Sequence, residues 1–239
     1  MIAALVDFEC PLVTDDRPRH NDGRSLNGQF RVAHGSNQER LRLFENPVLE
    51  WLSRDSPVTL MAFWLPAACA ALGAGLWLGI DPVAAAGWTV VTVLVWSLFE
   101  YVAHRFLYHA RLRSGWGKRL IFITHGCHHA DPDDPMRNVM PLSVSIPTGL
   151  MLFGLDCLLL QPPERFWTAG VFALSYAAYD VTHWRAHQRA GRSAIARYLR
   201  RHHMRHHYGR EGTNFGVSSP LWDIVFGTFA SSDRTESGG

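Results

Sequence analysis

The sequence predicts an all-α integral membrane protein: a four-helix bundle of two transmembrane hairpins with a histidine-rich helical cap on the cytosolic side. Three observations lead to this. Four long apolar stretches occupy the middle of a 239-residue chain that is 47% hydrophobic and contains nine Trp. Lys and Arg fall between and after those stretches, not within them. Ten of the 13 His lie in four short clusters, each beside an apolar stretch.

Residues 1–38 are polar, rich in Asp, Arg, Asn and Gly, and have little to bury. With residues 39–44 they read as a flexible N-terminal segment, 1–44. The opening Met1 to Val6 is too short an apolar run for a signal peptide. Within 39–54, Leu41, Phe44, Val48, Leu49, Trp51 and Leu52 recur at nearly helical spacing, so an interfacial helix leading into the membrane is expected, interrupted at Pro47.

The first apolar stretch, 57–80, carries no charge and exceeds the roughly 20 residues needed to cross a bilayer. The second, 83–103, has Glu100 near its end; the third, 139–160, has only Asp156; the fourth, 166–182, is shorter, with Asp180 near its end. Asp81-Pro82 joins the first pair, and Gln161 to Arg165 the second. Connections this short make hairpins. A soluble bundle of buried helices is the competing reading, but three runs are too long and too uniformly apolar for it. The membrane domain is expected over 45–230, with a polar tail at 231–239.

Charge sets the orientation. Arg105, Arg111, Arg113, Lys118 and Arg119 lie between the hairpins, and Arg185 through Arg210 follow the last span, whereas the hairpin tips carry only Arg165. Lys and Arg mark the cytoplasmic side. Four spans then put both termini, the central loop and all the His clusters in the cytoplasm. A net charge of +2 gives no general signal for nucleic acid, and the arginines of 197–210 alternate with His instead of base-stacking aromatics. Cys10, Cys69, Cys127 and Cys157 form no CxxC, so neither a disulfide scaffold nor a zinc ribbon is expected.

The clusters are His104 with His109, His125 with His128 and His129, His183 with His187, and His203 with His206 and His207. Imidazole is the commonest metal ligand. Ten exceed the roughly four to six ligands of one ion and suit two. Positions i, i+3 and i+4 share a helical face, so each HxxHH group is expected to aim at a common point, as is the His183/His187 pair. His104 and His109, five apart, do not keep to one face, and one is expected past the end of the second span. Cys127 lies inside the second cluster, whose spacing is complete without it. His20, His34 and His202 fall outside the pattern.

A metal-bound His usually donates its other N–H to a carboxylate or carbonyl. Glu100 lies four residues before His104, Asp180 three before His183, and Asp131, Asp133 and Asp134 follow His129. Tyr179, directly before Asp180, is a further candidate for the site.

The strings HRFLYH, HGCHH, HWRAH and RHHMRHH resemble the four histidine boxes of the fatty acid hydroxylase superfamily, which also includes sterol desaturases. Glu100-Tyr101, Val139-Met140-Pro141, Tyr179-Asp180, Phe215-Gly216-Val217, Trp222-Asp223 and Phe226-Gly227-Thr228 extend the likeness over about residues 45–228, nearest to the sphingolipid fatty acid 2-hydroxylases. The resemblance implies an O2-dependent di-iron monooxygenase acting on a fatty acyl or sphingolipid chain at C2. The ten cluster histidines would be its iron ligands, though zinc can fill the site in isolated members. Sterol or carotenoid hydroxylation or desaturation by the same superfamily is the alternative enzyme reading. Outside enzymes, the alternative is a membrane metal-binding protein. Transport sites lie near the bilayer midplane on broken helices, whereas these histidines lie at or beyond helix ends.

Eukaryotic members often carry an N-terminal cytochrome b5 domain. Residues 1–44 are too short for one and lack its His-Pro-Gly-Gly string. The expected electron donor is therefore a separate cytochrome b5-like or ferredoxin-like protein, docked on Arg197, Arg200, Arg201 and Arg205. Positive-inside topology accounts for those arginines equally well. The expected location is a bacterial inner membrane, or the endoplasmic reticulum in a eukaryote.

Overall fold

A computed structural model describes residues 41–189 and 191–231. The expectations for 1–40 and 232–239, with His20, His34 and Cys10, lie outside the described residues. Those described form helices and no strand. The first three helices share one opening device, a capping side chain followed by proline at the first helical position, where the missing N–H costs nothing. Asn46 caps α1 (Pro47–Leu52), Ser56 caps α2 (Pro57–Trp77) and Asp81 caps α3 (Pro82–Val102). Pro47 therefore starts a helix instead of interrupting a longer one, and residues 41–46 are not helical.

A π-helical segment, Ala103–Tyr108, continues α3. Next come α4 (Gly115–Ile121), a second π segment (Phe122–Gly126) and α5 (Cys127–Ala130). The chain ends with α6 (Leu142–Leu159), α7 (Glu164–Gln188), α8 (Ala194–Tyr208) and the short α9 (Leu221–Val225).

Among the described residues, three helices are long and apolar enough to cross a membrane: Pro57–Trp77, Pro82–Tyr108 and Leu142–Leu159. Their surfaces expose Val58, Val90, Val95, Leu150, Met151 and Leu158, side chains that suit lipid rather than water. The expected fourth span, 166–182, lies within α7, which at 25 residues is long enough but does not qualify on apolar content. The packing explains why. α7 is the hub, set against α2, α3, α6 and α8. It buries Thr168, Tyr176, Asp180 and His183 against neighbours, so a large part of its surface never meets lipid. Small residues permit close approach: a Cβ on Gly170 would meet Leu72 of α2 at 2.6 Å.

The core joins α2, α3 and α7 through Leu60, Trp96, Tyr176 and Ala177, with Val139 closing it from the central loop. Trp96 meets Phe172 edge-on at 4.9 Å, and Trp64 meets Tyr176 at 5.3 Å, the geometry aromatic quadrupoles favour. Directly beyond this core α7 reaches Asp180 and His183. A buried ionic knot ties α1 to the central loop. Arg137, its side chain 1% exposed, pairs with Glu50 at 2.5 Å and donates to the Leu41 carbonyl at 2.9 Å, while Asp134 pairs with Arg54 at 2.8 Å.

Candidate metal centre

All ten cluster histidines come together, sorted into two groups of five. His104, His109, His125, His129 and His206 form cluster one; His128, His183, His187, His203 and His207 form cluster two. Within each cluster the ligand atoms lie within 4.8 Å of one another. The clusters adjoin: the His129 ring stacks on His207 with centroids 4.1 Å apart.

The sorting departs from the expectation that each HxxHH group aims at one point. His125 and His129 stay together, whereas His128 crosses to cluster two; His203 and His207 stay together, whereas His206 crosses to cluster one. A helix turns about 100° per residue, so i and i+4 diverge by only about 40°, while i+3 lies about 60° to the other side of i. The i, i+4 pair holds one cluster and the i+3 residue faces the other. His104 and His109 do share a cluster, because the π segment brings residues five apart onto one face. His109 caps the end of that segment, so it does lie past the helical span.

Proton placement shows that the clusters suit a cation. His104 Nδ1 lies 2.5 Å from the Phe215 carbonyl oxygen, and His206 Nδ1 lies 3.0 Å from that of Thr213. His128 Nδ1 lies 2.9 Å from Asn138 Oδ1, whose own Nδ2 donates to the Pro132 carbonyl. Each such Nδ1 must carry the hydrogen, which leaves Nε2 a bare lone pair. The Nε2 atoms nevertheless converge. His104 is 3.1 Å from His125, His109 3.0 Å from His206, His183 3.0 Å from His128, and His187 2.8 Å from His203. At His104, His128 and His206, whose Nδ1 hydrogen is fixed from outside, a bare Nε2 lone pair thus faces into the cluster, where a cation can take it. A donor set of neutral imidazoles fits iron, copper or zinc.

Burial acts the same way. It pushes the His129 imidazole down to about 2 and His206 down to about 4, reinforced by the neighbouring rings. His125, His128 and His203 are pushed well below the usual range for the same reasons. These imidazoles therefore stay unprotonated, the state that metal binding requires.

The expected acidic supports act one step removed. Glu100 touches no imidazole: its Oε1 accepts the Val217 and Ser218 amides at 2.6 and 2.9 Å, and its Oε2 accepts from the Ser218 hydroxyl. Asp180 Oδ2 accepts the Met140 amide at 3.1 Å. The two sides are alike. An acid one turn before the first His of its helix grips a loop, and that loop turns an oxygen onto an imidazole. Tyr179 stacks on His183 with centroids 6.0 Å apart, and Tyr108 stacks on His125 at 5.2 Å. Asp131, Asp133 and Asp134 belong to neither cluster; Asp134 is spent on Arg54 and Arg137. Cys127 also stays out, its thiol donating to the Ile123 carbonyl.

Two residues escaped sequence reasoning. Asn138, 1% exposed, lies just before the Val139-Met140-Pro141 string, but a lone Asn carries no signal of its own. His202, set aside on spacing, is 1% exposed and pairs with Asp223 at 3.0 Å. Burial alone would raise the Asp223 carboxyl, but hydrogen bonds from His202, Thr228, Gly216 and Phe215 outweigh it and hold the acid below its usual range.

Among the described residues, an all-helical fold, three helices long and apolar enough to cross a membrane and two adjoining five-imidazole clusters define the class, a histidine-box membrane protein. Residues 89–228 match the fatty acid hydroxylase family. The chain is 32% identical over 187 residues to the dihydroceramide fatty acyl 2-hydroxylase FAH2 of Arabidopsis thaliana, covering 78% of this chain and 79% of that one. It is 37% identical over 150 residues to the human fatty acid 2-hydroxylase, covering 59% of this chain and 39% of the relative. Among solved structures, one described as full-length scs7p with only the hydroxylase domain visible superposes with a TM-score of 0.74 at 32% identity, over 80% of this chain and 72% of that one. The chain belongs to the fatty acid hydroxylase family of oxidoreductases.

Proposed function

We propose that this protein is a di-iron oxygenase that hydroxylates the acyl chain of a fatty acid or sphingolipid at C2, using O2 and electrons from a separate donor. The observation that carries this reading is the division of ten imidazoles into two clusters, with the Nε2 lone pairs of His104, His128 and His206 turned inward. Zinc fits the same donors but has no redox chemistry, and an unactivated C–H bond demands it. Iron bound there would supply that chemistry, in which O2, two electrons and two protons put one oxygen on carbon and the other into water.

The chain's own residues provide placement and exclusion. Buried His104, His128 and His203 keep water from the centre. The clusters sit where α3 and α7 leave their apolar stretches, next to the core of Trp96, Phe172 and Tyr176. An acyl chain lying along that apolar region would keep its polar head beside the clusters, with Tyr108 and Tyr179 flanking it. Oxidation then falls near the carboxyl or amide end, as the names of the relatives indicate for those proteins. α7 would be the fourth crossing, shielded by its neighbours, with both termini and the clusters in the cytoplasm. The membrane would be a bacterial inner membrane, or the endoplasmic reticulum in a eukaryotic host.

A separate acidic cytochrome b5-like or ferredoxin-like donor would dock on the basic face of α8. Arg197 and Arg200 there already bond the carbonyls of Arg192 and of Ala186 and His187, which leaves Arg201 as the more available charge.

Lipid analysis of cells making the protein, beside a His128→Ala variant, tests the proposal. 2-Hydroxy acids made by the parent and missing with the variant support it. Oxidation at another carbon, or in sterols or carotenoids, assigns a different reaction. No oxidised lipid, with iron bound and a reductant supplied, leaves a metal-binding protein.

A further inference from the structure

The geometry points to a positioning role for Glu100, Asp223 and His202, none of which takes part in cluster one: they hold residues 213–218 as a strap whose carbonyls aim the imidazoles of that cluster alone. The inference rests on reading the clusters as metal sites.

The strap meets the cluster at two carbonyls, Thr213 to His206 Nδ1 and Phe215 to His104 Nδ1. The Phe215 ring also lies against three of the five imidazoles, with centroids 5.8 Å from His104, 5.6 Å from His109 and 5.4 Å from His206. Carbonyl orientation in a loop is free unless the flanking amides are fixed, and here they are. Asp223, 0% exposed, accepts the Phe215 amide through Oδ1 and the Gly216 amide through Oδ2, each at 2.8 Å. Glu100 accepts the next two amides, Val217 and Ser218. Four consecutive N–H groups thus end on two buried carboxylates.

Asp223 is held in turn by His202 Nε2 at 3.0 Å and Thr228 Oγ1 at 2.7 Å, and Thr228 is met by the Tyr101 hydroxyl at 2.9 Å. The backbone closes with no spare room. A Cβ on Gly216 would meet the Ser219 carbonyl at 2.1 Å and Asp223 Oδ2 at 3.0 Å, and Asn214 adopts φ 57°. Nothing in this network reaches cluster two, whose His128 is held by Asn138 from the central loop. Two supports from separate parts of the chain serve two metal sites, so each site is separately removable.

The full-length chain in detergent, stripped of metal, would be titrated with Co2+, reading visible absorption and metal per chain. The parent should take up two Co2+. Asp223→Asn, Glu100→Gln and His202→Ala should each weaken one Co2+ by about 10–100-fold, the usual cost of losing an outer support, and leave the other unchanged. His202→Gln, which keeps a donor toward Asp223, should restore both. Added to Asp223→Asn, His104→Ala should remove little more, whereas His183→Ala should remove the remaining tight ion. Both ions weakening together, or neither, in variants that elute and melt like the parent would sink the strap, as would failure of every variant to fold. A parent that binds fewer than two Co2+ overturns the two-metal reading itself.

Discussion

Asn138→Ala is the most direct way to ask whether the imidazole tautomers are imposed from outside the clusters. Asn138 serves cluster two alone. Its Oδ1 accepts from His128 Nδ1 at 2.9 Å and its Nδ2 donates to the Pro132 carbonyl at 3.0 Å. Alanine strands both partners in a site where Asn138 was 1% exposed. Each orphaned group costs about 1–3 kcal/mol, so the melting temperature should fall. With no acceptor at Nδ1, the His128 hydrogen can move to Nε2 and block the lone pair that faces His183 and His207. Loss of such a support typically costs about 10–100-fold in metal affinity, or about 1.4–2.7 kcal/mol. Protein loaded with Fe2+ would be dialysed against graded chelator and its metal content followed. On the two-metal proposal, one ion should leave at a chelator level lower by that factor while the other stays. Asn138→Asp keeps the acceptor and should keep both ions despite the lost bond to Pro132. Equal retention by Asn138→Ala and the parent, or loss from Asn138→Asp as severe as from alanine, would refute the argument.

Other expectations follow from the same geometry. His128→Ala should lower metal at the cluster of His183 and not at that of His125, its own box, and His206→Ala should do the reverse; paired removal with His125→Ala or His203→Ala, read by metal analysis, checks the crossing. Acid should destabilise the metal-free protein. The unfolded imidazoles take up protons near pH 6.5, whereas His206 and His129 resist until about 4 and about 2, so proton uptake favours the unfolded chain and stability should fall as pH drops from about 6.5 toward 4, read from melts at graded pH. Gly216→Ala should cost about 1–3 kcal/mol from overpacking, with a lower melting temperature and weaker metal at cluster one. Arg137→Ala removes the buried cation that Glu50 and Asp134 share, leaves them Arg54 alone, and should cost about 1.5–3 kcal/mol in chemical unfolding.

The histidine boxes were legible because a metal site needs many imidazoles close together, and ten of 13 His fall in four dense runs beside apolar stretches. Their sorting was not. Spacing of i, i+3 and i+4 says that three rings lie on one side of a helix, but not that a second centre waits within reach of the i+3 residue. Nothing in Ala103 to Tyr108 announces a π segment, so His104 and His109 looked mismatched when they are partners. The spans were legible where lipid selects for uniform apolarity, as in α2, α3 and α6. They were less so in α7, where contacts with other helices replace lipid and admit Tyr176, Asp180 and Thr168. Asn138, His202 and Asp223 act over tertiary distances, and their partners at the sites they support are fixed only by the fold.

The arrangement divides the work between helices and loops for a physical reason. Helices fix the spacing of imidazole pairs, His183 with His187 and His203 with His207, because rise and turn per residue are set by the backbone. A helix cannot fix which ring nitrogen bears the hydrogen, since its own carbonyls are committed along its axis. That acceptor must come from irregular backbone or from a side chain near it, and irregular backbone beside a membrane must have its polar groups satisfied. Glu100 and Asp180 meet the requirement from the helices that carry His104 and His183, so helix and loop are locked in register at each cluster. A carboxylate so placed is costly near lipid. The cost is offset only while the loop amides remain on it. Moving either acid by one position along its helix would turn it about 100° away from the loop, leaving the acid and the loop amides unpaired together and the imidazole free to choose the wrong tautomer.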